Sequence, residues 1–279
     1  MVKPTRTRII ILGSGSPIAN PERSGPALAI IVDNNTYIVD SGPGIVRRAA
    51  EAAKKYQLQA IQPNNLRIAF LTHLHHDHTA GLPDLMLTPW TNDRVEPLTL
   101  VGPPGTKKLA DGITQAFGED LRIRLNGLEP ANETGWKTLA KDVTPGVVFS
   151  DELVSVEAFL VDHGNWEHAY GYKFITPDRT IVISGDTTLS SEVERQSMDC
   201  DVLIHEAYSN IGWLEYSPDW RKYHAAFHTS AGDLGRLAKR AKPKLLVIHH
   251  ILRTTEGLLD EVRQEFSGDV TIANDLDIF

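Results

Sequence analysis

Cysteine is nearly missing. Cys200 stands alone among 279 residues. No internal disulfide can form, which excludes a disulfide-stapled secreted scaffold and favours a reducing, cytoplasmic setting. Long apolar runs are missing too. None approaches the roughly 20 residues needed to cross a bilayer, so no membrane is expected as a partner. The apolar run in the opening "MVKPTRTRIIILGSGSP" is too short for the core of a signal peptide, and it reads as a first β-strand ending at Gly13. There is no low-complexity tract and no Pro- or Ser-rich linker. Nothing therefore marks a boundary, and one domain over residues 1–279 is expected. Positive charge is also short, with 28 Lys and Arg against 36 Asp and Glu and a net charge of -8. That balance gives no long-range pull on nucleic acid.

What is present is an ordinary core-forming composition, 41% apolar, arranged as short β-branched runs alternating with helical patterns. Strands are expected over Arg8–Leu12, Ala27–Val32, Thr36–Asp40, Arg67–Thr72, Leu98–Gly102, Val154–Val161, Tyr170–Thr176, Thr180–Gly185, Asp201–Glu206, Lys244–His250 and Asp269–Ala273. Helical periodicity covers Ile45–Tyr56, Thr106–Phe117, Ser230–Ala241 and Thr255–Glu265. In the third helix Ala231, Leu234, Leu237, Ala238 and Ala241 form one apolar face. The mixture predicts an α/β fold with two sheets and helices outside them.

Five of the strand candidates run straight into residues that bind metals or move protons. "RIAFLT" meets His73, "AFLV" meets Asp162 and His163, and "TIVISG" meets Asp186. "DVLI" meets His205 and Glu206, and "KLLVI" meets His249 and His250. Ligand sites in layered α/β folds gather at strand ends, so these groups are expected to meet.

The densest of them is "HLHHDH", spaced His73-x-His75-x-Asp77-His78. Imidazole and carboxylate are the usual nitrogen and oxygen donors for Zn²⁺, and Mn²⁺ and Fe accept them as well. Two histidines two apart on an extended segment face one side and can grip one ion. A turn after them aims Asp77 and His78 toward a second ion and leaves His76 pointing away. A role-free histidine-rich loop is the bland alternative. It would have to explain five metal-capable residues in six positions.

"HLHHDH" matches the H-x-H-x-D-H signature of the metallo-β-lactamase superfamily. "LGSGSP" resembles that family's opening turn, and "IVDSGPG" its D-x-G-x-G element. "VDHGNWEHAYGYKF", "ISGDT" and "VIHH" resemble its later ligand segments. The resemblance covers nearly the whole chain. It implies a four-layer αββα sandwich with mixed sheets and a two-metal site. His73, His75 and His163 would hold one ion. Asp77, His78 and a final histidine would hold the other, and Asp186 would bridge them. Either His249 or His250 could be that histidine. Arg253, four residues after His249, matches an H-x-x-x-R ending and favours His249.

Such a pair of ions implies a bridging hydroxide as nucleophile, with Asp77 orienting it, and hence hydrolysis. "HEA" and "HTSAGDLGRLA" resemble segments of the ribonuclease Z and arylsulfatase-like branch, in which a glutamate and a histidine pair beside the metals. Here those residues are Glu206 and His228, with His228 as general acid. The plain alternative for His228 is local hydrogen bonding at a helix start. His205 reads as a support of the sheet edge. "LGSGSP" lacks the third glycine of a dinucleotide fingerprint and is followed by Pro17, so no nucleotide cofactor is expected.

Three features bear on the substrate. His163 and Asp186 are 23 positions apart. That leaves room for two strands but not for the RNA-gripping arm that bacterial tRNA-processing relatives insert there. The net charge is negative. "GWLEYSPDWRKYHAAFH" places Trp213, Tyr216, Trp220, Tyr223 and Phe227 before His228, and Trp166 follows His163. These aromatics read either as packing or as a wall for an aryl group. The expectation is a zinc-dependent hydrolase of small phosphodiesters or aryl sulfate esters. A ribonuclease Z-like tRNA 3′-processing nuclease is the alternative, and a lactone or thioester hydrolase or an iron-dependent redox relative stand behind it. Relatives of this shape are often homodimers, though no interface stripe stands out in this sequence.

Overall fold

The apolar runs form the strands of two separate sheets in the computed structural model, which describes residues 6–279. The basic lead at residues 1–5 lies outside the described residues. The chain divides into two units, one sheet to each.

The first unit comprises Arg8–Gly13, Ser24–Val143 and Asp275–Phe279. Its six-stranded sheet runs β1 (Thr7–Gly13), β2 (Ala27–Val32), β3 (Asn35–Val39), β4 (Ile68–Phe70), β5 (Leu98–Gly102) and β6 (Thr138–Asp142) in spatial order. β2 and β3 are antiparallel, while β3 to β6 are parallel, so the sheet is mixed. The helices are α1 (Ile45–Tyr56), α2 (His76–Thr79), α3 (Leu82–Thr91), α4 (Thr106–Ala116) and α5 (Gly118–Asn126). α1 follows its periodicity. Ile45, Val46, Ala49, Ala52 and Ala53 are buried, and Lys54 and Lys55 sit in the last turn, where the helix dipole favours cations. Their core joins Leu12, Ile31 and Ile38 of the sheet to Leu82, Leu85 and Met86 of α3.

The second unit comprises residues 6–7, Ser14–Arg23 and Thr144–Asn274. Its seven-stranded sheet holds β7 (Gly146–Ser150), β8 (Ser155–Leu160), β9 (Tyr170–Ile175), β10 (Thr180–Ile183), β11 (Val202–Ala207), β12 (Leu245–Ile251) and β13 (Asp269–Ile272) in that order. β7 to β10 are antiparallel, and β10 to β13 are parallel. Its helices are α6 (Ser191–Gln196), α7 (Asn210–Leu214), α8 (Pro218–Phe227), α9 (Ala231–Ala241) and α10 (Leu258–Glu265). The expected face of α9 is fully buried, and the Ser230 side chain caps the helix by accepting from the Asp233 N–H at 3.2 Å. The helix expected from Thr255 starts later, because Gly257 takes φ 72 and caps α10.

β6 and β7 were not expected. Both are largely solvent-exposed, so neither carries an apolar signature. No helix among the described residues is long and apolar enough to cross a membrane.

Candidate metal centre

In the first unit the chain leaves β4 and turns at once into the histidine loop. His73 is fully buried, His75 half-buried and His76 exposed, as the spacing required. α2 is a single turn. It carries Asp77 and His78 inward, with exposures of 4% and 1%. The ring nitrogens His73 Nε2 and His75 Nδ1 face each other at 2.9 Å. Asp40 explains their state. The Thr72 hydroxyl donates to Asp40 at 2.9 Å, so it accepts from His73 Nδ1–H at 3.0 Å. That leaves the lone pair on His73 Nε2. His78 Nδ1 donates to Asp40 Oδ2 at 2.8 Å, which leaves the lone pair on His78 Nε2, 3.6 Å from Asp77 Oδ2. One buried carboxylate thus fixes two imidazole tautomers, an arrangement suited to presenting both inner nitrogens to a cation.

Asp40 itself sits at φ 62, at the end of β3, and its Oδ1 also accepts the Thr72 N–H at 2.8 Å. A non-glycine residue in the left-handed region points to a local demand. Sequence reasoning assigned Asp40 no role. The available signal was an aspartate closing an apolar strand just before "SGPG".

In the second unit the C-terminal ends of parallel β10, β11 and β12 carry Asp186, Glu206 and the histidine pair. The ladder matches Glu206 with His249 and then Ala207 with Ile251, skipping His250. His250 sits in this bulge at φ 52. The kink brings His250 Nε2 to 3.3 Å from Asp186 Oδ2. Ligand atoms of Asp186, His228 and His250 all lie within 4.8 Å of one another. The H-x-x-x-R spacing favoured His249, but the structure sets His250 against Asp186. His249 instead pairs with Glu206 along the ladder. A bulge shifts which side chain faces the strand end, and spacing alone does not reveal a bulge.

His163 is 1% exposed, and its Nδ1 donates to the Phe227 carbonyl at 2.8 Å, leaving Nε2 with its lone pair. Gly164 makes this packing feasible. It takes φ 54, and a Cβ there would lie 2.1 Å from the Phe227 ring. Glu206 is fully buried. Its Oε1 accepts the Thr229 N–H at 3.0 Å and the Thr187 N–H at 3.3 Å, and lies 3.4 Å from His228 Nδ1. Burial, followed by the Asp186 charge, pushes the Glu206 carboxyl well above the ordinary carboxylate range. His205 is wholly buried, its Nδ1 donates to the Glu206 carbonyl, and burial lowers its pKa to about 4. Those are the properties of a structural histidine.

The aromatic segment lies on α7 and α8 and packs largely on itself. Arg221 covers Trp213 at 5.2 Å, and Arg253 covers Tyr216 at 5.1 Å. Tyr223 stacks on Phe227 at 4.3 Å, and Trp166 packs against the core of this unit. Trp220 remains 56% exposed. The packing reading therefore accounts for most of the segment.

The donors suit divalent metal ions. Buried imidazoles have their outer nitrogens pinned by Asp40, Thr72 and the Phe227 carbonyl, and buried carboxylates accompany them.

A family profile described as a Beta-lactamase superfamily domain matches residues 35–251, and the chain belongs to that superfamily. A ribonuclease Z of Mycobacterium sp. (strain KMS) is 30% identical over 248 residues, covering 88% of this chain and 84% of that protein. The short form of human tRNase Z is 22% identical, with 98% of each chain covered and a TM-score of 0.71. The metallo-beta-lactamase fold protein YhfI from Bacillus subtilis has the same TM-score and coverage at 17% identity. The fold is the metallo-β-lactamase fold with two mixed sheets, as expected. The class of protein is a metal-dependent hydrolase of that superfamily.

Proposed function

We propose that this chain is a two-metal phosphodiesterase whose substrate is RNA, cleaved in the manner of ribonuclease Z. The observation that carries this reading is the convergence of Asp186, just past β10, His250 on β12 and His228 at the C-cap of α8, with ligand atoms within 4.8 Å. Similarity to ribonuclease Z across most of the chain supports RNA over the aryl sulfate esters that the aromatic loop suggested.

In this reading His73, His75, Asp77 and His78 of the first unit and His163, Asp186 and His250 of the second would be the residues that hold the metal ions. Zinc is assigned from the nitrogen-rich donor set. Bound divalent ions supply Lewis-acid polarisation of the phosphoryl oxygens and a water acidic enough to attack at neutral pH. Asp77 orients that water. Asp40, Thr72 and the Phe227 carbonyl hold the ligand imidazoles in their tautomers. His228 protonates the departing oxygen, and Glu206 positions its ring. The single buried Cys200 suits the cytoplasm.

A second reading, small phosphodiesters, is favoured by one observation. Between His163 and Asp186 the chain forms only β9, a turn and β10, with no arm to grip RNA.

The test is metal quantification followed by paired assays on an RNA 3′-end reporter, a bis-aryl phosphate and an aryl sulfate. Asp77→Ala should keep the fold and abolish turnover of both phosphodiesters. Metal-loaded protein that cleaves the sulfate and neither phosphodiester would overturn the reading.

A further inference from the structure

A cavity of about 230 Å³ lies within the second unit, just past the end of β12. Ser16, Asn20, Arg23, Arg253, Thr254 and Thr255 line it, and no carboxylate does. The Ser16 hydroxyl is buried and has no hydrogen-bond partner among the described residues, and Ser16 as a whole is 8% exposed. An unsatisfied buried hydroxyl costs free energy, so it marks a place where a partner is missing. Arg23 is fixed, donating to Ser14 Oγ at 2.6 Å, to the Ala273 carbonyl at 2.9 Å and to Asn274 Oδ1 at 2.9 Å. Arg253 gives its Nε to Glu215 at 2.6 Å and lays its plane over Tyr216. Among the described residues that Nε contact is the one Arg253 side-chain hydrogen bond. Two guanidinium groups, a hydroxyl without a partner and an amide form a donor set for an oxyanion.

We propose that this cavity binds a phosphate of the substrate other than the one cleaved. A polynucleotide, and not a lone phosphodiester, is then the native substrate class. The inference rests on the phosphodiesterase reading above and sharpens it. Size agrees. Pockets for whole drug-sized ligands begin at roughly 300 Å³, so this one takes a phosphate with little more than its attached oxygens. Position agrees as well. "HHILR" carries the candidate ligand His250 at φ 52 and the cavity's Arg253 at φ 61. Three residues of chain reach at most about 11 Å, a span that nearby phosphates of one strand can cover. The Ile251 N–H donates to the Ser14 carbonyl at 2.9 Å and ties this stretch to the turn that forms the opposite wall.

The experiment uses the metal-loaded full chain with two variants, Arg253→Gln and Ser16→Ala. Ser16→Ala removes one hydroxyl and leaves every hydrogen bond described here intact. With an RNA oligonucleotide, KM should rise about tenfold in Arg253→Gln and about threefold in Ser16→Ala, and the salt dependence of RNA binding should lose about one unit of slope in Arg253→Gln. With a bis-aryl phosphate, which has one phosphate only, KM should move far less. Titration with inorganic phosphate followed by ³¹P NMR should show two sites in the wild type and one in Arg253→Gln. Equal KM changes for both substrates, or a single phosphate site in the wild type, would overturn the proposal. A second phosphate site lost in Arg253→Gln, in a protein that cleaves no phosphodiester, would support the anion cavity and refute the phosphodiesterase reading instead.

Discussion

Arg94 is fully buried and faces no carboxylate in its hydrogen bonds. It donates to four backbone carbonyls: Leu66 at 2.9 Å, Leu85 at 3.0 Å, Met86 at 2.6 Å, and Gly135 at 3.1 and 2.8 Å. Burial lowers its pKa to about 10, so it stays charged at neutral pH. One acceptor is decisive. The Leu85 carbonyl in α3 would normally take the N–H of residue 89, which is a proline inside the helix. Arg94 supplies the donor that Pro89 lacks, and at the same time it fastens α3 to the loops at Leu66 and Gly135. In Arg94→Met the stem is kept, but Leu66, Leu85 and Gly135 lose their donors. Each orphaned buried acceptor costs roughly 1–3 kcal/mol, and release of the buried charge offsets part of the sum. The expected net loss is about 3–5 kcal/mol, as is usual when one partner of a buried charged network is removed. With a urea m-value near 3 kcal/mol/M, the unfolding midpoint should fall by roughly 1–1.5 M. Pro89→Ala restores a donor for Leu85. The double variant should therefore be about 1 kcal/mol more stable than the two single effects added together. A midpoint shift below about 0.3 M in Arg94→Met, or strict additivity in the cycle, would refute the reasoning.

Asp40→Asn should lower metal affinity by about 10–100-fold in a chelator competition while leaving the fold intact, because it weakens the hold on His78 and Thr72; unchanged affinity would remove Asp40 from the centre. In His228→Ala, turnover should fall most with phosphodiesters whose leaving groups are poor, and a uniform loss across leaving groups would end its role as acid. Cys200 is buried, and burial pushes its thiol up to about 12. It should resist alkylation at pH 8 in the folded protein and react readily in urea, so rapid native labelling would contradict the burial.

Strands buried on both faces were legible in the sequence because burial demands unbroken apolar runs. β2 shows it, with every residue apolar and buried. α1 and α9 were legible because one face of each is apolar at helical spacing. α3 was not, since Pro83 and Pro89 interrupt its pattern. Its stability depends on a residue outside the helix, three positions past its end, and no local rule couples that arginine to that proline. α7 and α8 escaped for another reason. Their aromatics pack on one another and on arginines, so the segment reads as a loop with a function when most of it is a small packed cap.

The candidate site divides along the same line. Candidate ligands could be named from the sequence because metal chemistry restricts them to a few residue types at short spacings, and one dense loop gives the signature. The residues that orient those ligands were not, because orientation is a property of the fold. Asp40 lies 33 positions before His73, and the carbonyl that fixes His163 belongs to Phe227. The choice between His249 and His250 turns on the backbone alone. In a regular strand, neighbouring side chains take opposite faces, so one of two adjacent histidines must point away from any given ligand position. A bulge at the second residue resets that alternation, and φ 52 at His250 is its mark. The bulge also turns the chain toward Arg253. The candidate ligand at the strand end and the arginine of the neighbouring cavity are thus placed by one departure from regular pairing, and replacing His249 should disturb both less than replacing His250.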